Sequence, residues 1–207
     1  MTKINGQQKA LAILNQIERA VVIGGDDGLV TTYDIATHEL IDVWAVGAKI
    51  TALATLSLEE GGFIIAAGTA VGNLIIRQDW EEVIPRYHAC GSKTINDLTF
   101  SKNGQLLASA SSDKHIYLFQ YSDGDYIKLA ACKLDNGFPV SVNFSEDSKK
   151  IVVCTNQRTL LLLDPSTFQL MFRVEDLSQC FWSNWVGRYP LVTKSQTSGL
   201  IPIAIGN

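Results

Sequence analysis

Four segments of this chain repeat at a nearly constant interval, and that interval constrains the fold more than any other feature. They are VVIGGDDGLVTTYDI (21–35), IIAAGTAVGNLIIRQD (64–79), LLASASSDKHIYLFQY (106–121) and KIVVCTNQRTLLLLDP (150–165). In each, two apolar runs flank a short turn. The residue just ahead of the second run is Gly28, Gly72, Lys114 and Arg158, at spacings of 44, 42 and 44. A second register agrees: the entering run ends at Leu56, Phe100 and Phe144, 44 residues apart, and Ala12 occupies the same place one unit earlier. The entering runs ALAIL, ITALATL, INDLTF and VSVNF are too short, and too rich in β-branched or aromatic residues, for helices.

Strand–turn–strand units with a period of 40–45 residues predict an all-β propeller with four strands per blade. Turn chemistry falls where hairpins require it. Asp27-Gly28, Gly72-Asn73, Asn103-Gly104 and Asp123-Gly124 supply residues that tolerate positive φ. The expected blades run over residues 9–48, 49–92, 93–137 and 138–177, with a partial blade over 178–207. In that last unit the strand LIPIAIG (200–206) aligns with VVIGG of the first, which makes it a second strand with two outer strands to come. About four and a half blades result. Seven blades at this period need roughly 300 residues, so the chain is expected to be a fragment of a larger propeller, with further blades in a longer parent.

The third unit carries a family resemblance. Asp97-Leu98-Thr99-Phe100-Ser101-Lys102-Asn103-Gly104, then Leu106 to Asp113, then His115-Ile116-Tyr117-Leu118-Phe119, resembles a WD40 repeat. The resemblance implies that Asp113 holds the turn aspartate position and that Phe119-Gln120 stands where the Trp-Asp pair usually stands. No unit ends in Trp-Asp, and Tyr33-Asp34 comes closest. The opening Gly-His dipeptide is also absent, with His88 and Gly91 separated.

From Ser109 onward the chain is similar to a narrower group, the echinoderm microtubule-associated-protein-like family. The similarity is carried by His115 to Phe119, Tyr126 to Lys133, Val142 to Lys149 and Leu160 to Thr167. Its most distinctive part is Trp182-Ser183-Asn184-Trp185-Val186-Gly187-Arg188-Tyr189-Pro190-Leu191, which resembles the tryptophan-rich segment of that family's second propeller. The resemblance implies tubulin or microtubules as a partner and a cytoplasmic, cytoskeletal or ciliary location. The family's N-terminal coiled coil and the hydrophobic motif that opens its first propeller are not found here.

Composition narrows the function classes. The chain has 207 residues, 46% apolar and 18% charged, with a net charge of −4. Residues 1–100 carry seven Lys/Arg against twelve Asp/Glu, and residues 101–207 carry ten against nine. Nucleic-acid binding leaves a basic footprint, and this chain has none. The longest apolar stretch, Gly61 to Ile76, is interrupted by Gly68, Thr69, Gly72 and Asn73 and falls short of the ~20 residues of a spanning helix. Met1 to Lys9 has no apolar region of the kind a signal peptide needs. The four cysteines, Cys90, Cys132, Cys154 and Cys180, show neither Cys-x-x-Cys pairing nor zinc spacing. They are expected to be buried, reduced thiols.

Candidate chemistry is sparse. Ser111, Asp113 and His115 could be read as a triad, but they share one hairpin without a nucleophile elbow, so a hydrogen-bond network holding the turn is expected. Asp26-Asp27 could suggest a metal, yet in Gly-Gly-Asp-Asp-Gly they serve as turn formers. Catalytic residues, metal and cofactor are therefore expected to be absent. Asp27, Gly28, Gly72 and Asp113 are expected to be structural turn residues. Trp182 and Trp185 should point to opposite faces of a strand, and Trp185, Arg188 and Tyr189 form the expected partner-contact patch, since these residue types dominate interface hot spots. The leading expectation is a non-catalytic protein-interaction scaffold. An adaptor subunit in ubiquitin ligation, trafficking or RNA processing is the first alternative, and a propeller enzyme the second.

Overall fold

In the second and fourth units the second strand is strongly apolar, and the structure buries it on both faces. All seven residues of Phe63–Thr69 and all five of Ile151–Thr155 are buried. A strand covered on both faces reads as a continuous apolar run rather than an alternation, which is how these segments read. The computed structural model describes residues 8–14, 20–58, 62–79, 86–175, 177, 183–186, 189–192 and 201–202. Of these, side-chain surroundings are described for 12, 20–58, 62–79, 88–175 and 177.

Every described strand belongs to an antiparallel meander, and no helix occurs among the described residues. The first sheet is β1 (Gln8–Leu14), β2 (Ala20–Gly25), β3 (Leu29–Asp34) and β4 (Leu40–Ala45). The second is β5 (Ile50–Ser57), β6 (Phe63–Thr69), β7 (Asn73–Gln78) and β8 (Arg86–Ala89). The third is β9 (Ile95–Phe100), β10 (Leu106–Ser111), β11 (His115–Ser122) and β12 (Asp125–Lys133). The fourth is β13 (Pro139–Phe144), β14 (Ile151–Thr155), β15 (Leu160–Leu163) and β16 (Leu170–Val174). The fifth shows three strands among the described residues: β17 (Ser183–Val186), β18 (Tyr189–Val192) and β19 (Ile201–Pro202).

The fifth sheet corrects one expectation. The 200–206 run was aligned with the second strand of the first unit, but Ile201-Pro202 pairs with Leu191-Val192 as the third strand. A β17–β18 hairpin precedes it, pairing Trp185 with Pro190 and Val186 with Tyr189. The apolar character of 200–206 suits either position, and only the hairpin ahead of it distinguishes them. Trp182, whose orientation relative to Trp185 was predicted, lies outside the described residues.

Contacts divide the chain into two units, residues 1–95 and 96–207. In the first, β5 lies against β1 and β2, and the core gathers Val22, Val30, Trp44, Ile50, Phe63, Ile65 and Ile75. The packing is tight enough that a Cβ on Gly24 of β2 would come within 2.6 Å of Ile50 on β5. In the second unit, β13 lies against β10 and β17. Its main core holds Ile116, Leu118, Val142, Phe144, Ile151, Val153, Leu161 and Leu163.

The repeat extends to backbone detail that the residues did not announce. The pairing of the third with the fourth strand is interrupted between Thr32 and Tyr33, between Leu118 and Phe119, and between Leu162 and Leu163. Such bulges increase the local strand twist. The four turn residues that set the period all adopt left-handed backbone: Gly28 at φ 72, Gly72 at 86, Lys114 at 76 and Arg158 at 61. Two of the four are therefore non-glycine residues in a region that glycine occupies freely, at a cost of roughly 1–2 kcal/mol each. Lys114→Gly is expected to raise unfolding stability by about 0.5–1 kcal/mol once the larger unfolded-state entropy of glycine is counted. Gly72→Ala should have the opposite sign, because its Cβ would also meet the carbonyl oxygens of Lys93 and Gly91 at 2.8 and 2.9 Å. Urea midpoints of the two variants check both signs.

Candidate functional site

The turn between β10 and β11 is where sequence placed the most chemistry. Asp113 Oδ1 accepts the His115 amide at 3.0 Å, and Asp113 Oδ2 accepts the Tyr117 hydroxyl at 2.6 Å. The Asp113 amide donates to Ser111 Oγ at 3.3 Å, and the His115 ring lies stacked 5.5 Å from that of Tyr117. Lys128 of β12 covers Tyr117, with Nζ 4.4 Å from the ring centre. Burial alone would raise the Asp113 carboxyl, but the Tyr117 hydroxyl, the His115 amide and the Ser111 hydroxyl outweigh it and hold the group below its usual range. This is a structural network: Ser111, Asp113 and His115 hold one another and the turn. Tyr117 is the member that the sequence did not single out, and its position two residues beyond His115 on the same strand face was the available signal.

Asp27 caps its own turn, its Oδ1 accepting the Leu29 amide at 3.1 Å, and Asp26 pairs with Lys49 at 2.9 Å. Among the described residues no group of three or more His, Cys, Asp or Glu could hold a metal ion. No described helix is long and apolar enough to cross a membrane. Cys90 is buried and Cys132 partly buried, and both are thiols rather than disulfides. Burial, then the nearby Asp135, push the Cys132 thiol up. Cys154 is disulfide-bonded, which corrects the reduced-thiol expectation for that residue; Cys180 lies outside the described residues.

The aspartate of the Trp-Asp pair survives without its tryptophan, and its role is plain. Asp34 Oδ1 accepts the amides of Ala36 and Thr37, both at 2.7 Å, and Asp164 Oδ1 accepts the Ser166 amide at 2.8 Å. Each carboxylate closes the turn between third and fourth strands, and each is held below its ordinary range, Asp34 chiefly by the Thr37 amide and Asp164 chiefly by the Ser166 hydroxyl. The third sheet has Gln120 at this place. There β11 runs on to Ser122 and turns instead through Asp123-Gly124, at φ 52 and 82.

The surface most suited to a partner was not anticipated. On the outer strand β12, Ile127 and Leu129 are 55% and 53% exposed. On β16, Leu170, Met171 and Phe172 are 50%, 52% and 40% exposed. Both strands pair on one side only. Two hollows lie between the third and fourth sheets: one of about 110 Å3 walled by Cys132, Leu134, Leu161, Leu170 and Arg173, the other of about 600 Å3 walled by Leu106, Leu129, Lys149 and Pro165. Of the expected contact patch, the backbone of Trp185 lies on β17 opposite Pro190, and that of Tyr189 on β18 opposite Val186. Their side chains, and Arg188 altogether, lie outside the described residues.

Comparison with known proteins follows the same lines. Residues 63–154 match the model of the anaphase-promoting complex subunit 4 WD40 domain. One chain of a crystal structure of the mitotic checkpoint complex superposes on 98% of this chain with a TM-score of 0.80, at 14% identity, and 65% of that chain is covered. The sheets are WD40-type propeller blades. Mouse echinoderm microtubule-associated protein-like 2 is 23% identical over 161 residues, which is 77% of this chain. The 77 kDa echinoderm microtubule-associated protein of Lytechinus variegatus is 23% identical over 128 residues, 61% of this chain. This chain spans 24% and 19% of those relatives, so it corresponds to about a quarter of their length or less. The WD40 blades resemble those of this family across more than the C-terminal half that the residue motifs carried. They support a protein-interaction scaffold as the kind of function.

Proposed function

We propose that the chain is a non-catalytic scaffold of the cytoplasm whose partner surface is the microtubule. The observation that carries this reading is the similarity to microtubule-associated relatives over 77% of the chain. Ser111 Oγ accepts the Asp113 amide, Asp113 Oδ1 accepts the His115 amide, and the His115 ring Nδ1 lies 3.1 Å from the Asp113 carbonyl oxygen, an arrangement that closes the hairpin rather than aligning a base with a nucleophile. Trp185, Arg188 and Tyr189 are proposed as contact residues, alongside the exposed apolar residues of β12 and β16. Co-sedimentation of the purified chain with taxol-stabilised microtubules tests the partner. The expected result is saturable pelleting, reduced by Arg188→Glu with Trp185→Ala and by Leu170→Lys with Phe172→Lys.

A second reading is favoured by a separate observation. The matched family model describes a subunit of a multi-protein complex, and it covers residues 63–154, including the whole third blade. An adaptor of that kind would itself stay in the supernatant when microtubules are pelleted, while immobilised chain retains proteins from an extract. Failure to pellet at any tubulin concentration would overturn the microtubule reading.

A further inference from the structure

The first unit contains buried polar atoms that protein groups do not satisfy. Thr32 and Trp44 are 0% and 8% exposed, and neither Thr32 Oγ1 nor Trp44 Nε1 has a hydrogen-bond partner. The β3–β4 register puts both on one face: Thr32 stands opposite Asp42, and Trp44 lies two residues beyond Asp42 on the same strand. That face carries the Asp42 carboxylate to the Arg77 guanidinium of β7, which lies 5.8 Å from the centre of the Trp44 ring. Beside Thr32 the β3–β4 ladder is interrupted by its bulge, which opens the local pairing.

An unsatisfied buried donor costs about 1–3 kcal/mol, and native proteins satisfy such groups with protein or ordered water. The chemistry of these groups selects the occupant. The indole N–H can only donate and needs an acceptor; the hydroxyl can do either; the carboxylate accepts at several lone-pair sites. Asp42 and Arg77 already neutralise each other, so an anion would face the carboxylate and a cation the guanidinium. A neutral molecule of water size, both donor and acceptor, meets every requirement. We infer that one ordered water sits at this joint between the first two blades, accepting from Trp44 Nε1 and donating to the Asp42 carboxylate and Thr32 Oγ1. The 22% exposure of the Asp42 side chain provides its way in.

The test uses the whole chain, 15N-labelled, with the Trp44 indole resonance assigned by its loss in Trp44→Phe. A cross-peak between that indole proton and the water frequency, with the sign of a long-lived contact, is expected in wild type and in Thr32→Ser, and is expected to weaken in Thr32→Val. The midpoint of thermal unfolding should drop in Thr32→Val by about 2–4 °C, since the water loses a bond while side-chain volume is kept. A Thr32→Val midpoint equal to or above wild type, or an indole proton without a water contact in wild type, would show the joint to be dry and overturn the inference.

Discussion

Arg77→Met is expected to lower the free energy of unfolding by about 3 kcal/mol, near the low end of what breaking a buried ion pair costs. The guanidinium is 9% exposed and its partner Asp42 22%, so methionine would leave a carboxylate that is mostly out of water with no countercharge. The low end applies because Asp42 keeps some contact with solvent. Methionine preserves most of the side-chain volume over the Trp44 ring, so the loss isolates charge rather than packing. A matched control exists within the same chain. Arg173 pairs with Glu175 at 40% and 58% exposure, and a surface pair of that kind contributes about 0–1 kcal/mol. Urea unfolding followed by circular dichroism should therefore separate Arg77→Met from Arg173→Met by about 2 kcal/mol. Equal effects would mean that the blade joint does not depend on the buried pair.

The second large effect is a pH dependence of unusual sign. Asp97 of β9 reaches across to the fourth blade: its Oδ2 accepts the Val142 amide at 2.9 Å, and its Oδ1 accepts the Leu98 amide at 2.9 Å. Burial dominates over these hydrogen bonds and raises its carboxyl from 3.8 to about 6. Below pH 3.8 both folded and unfolded chains hold this proton, and Asp97 contributes nothing to the balance. Between pH 4 and 6 the unfolded chain ionises first while the folded protein keeps its proton. Stability therefore falls as pH rises through that window, by on the order of 3 kcal/mol in total. Asp34, Asp113, Asp147 and Asp164 are shifted downward and act oppositely. Their contribution is present above the unfolded value and is lost on acidification below about pH 4. The difference between wild type and Asp97→Asn, measured by thermal unfolding from pH 4 to 7, should thus slope through 4–6 and flatten above. A flat difference across the window would show that the carboxylate is not held out of water at this junction.

These two residues also mark where sequence stops being informative. The period, the strand character of each run and the turn glycines are local properties, and the chain states them directly. Gly28 and Gly72 suit a left-handed backbone, and a Cβ there would come within 3.0 Å of the Ala48 carbonyl oxygen and 2.8 Å of that of Lys93. Arg77 sits 35 residues from Asp42, and no local pattern connects them. The only hint is a charge placed inside NLIIRQ, a run otherwise apolar up to that point and buried from Leu74 to Arg77. Asp97 gives even less warning, since INDLTF reads as a strand whatever its aspartate touches, and the reach to Val142 is seen only in the fold. The bulges are silent in sequence because they are properties of pairing between two strands. The exposed run Leu170-Met171-Phe172 reads as core by composition, and only its place on a strand paired on one side turns it outward. The third-strand position of Ile201-Pro202 was missed for a related reason: one apolar run fits any strand of a blade, and its neighbours decide which.

One four-stranded unit recurs along the chain with a period of 42 to 44 residues. Amide hydrogen exchange read by mass spectrometry on the intact chain tests it directly. Strands paired on both sides should exchange slowest, because their amides open only with the sheet. Four maxima of protection are expected, at β2–β3, β6–β7, β10–β11 and β14–β15, with faster exchange in the outer strands β4, β12 and β16. Protection confined to one continuous stretch, or maxima without the common interval, would contradict it.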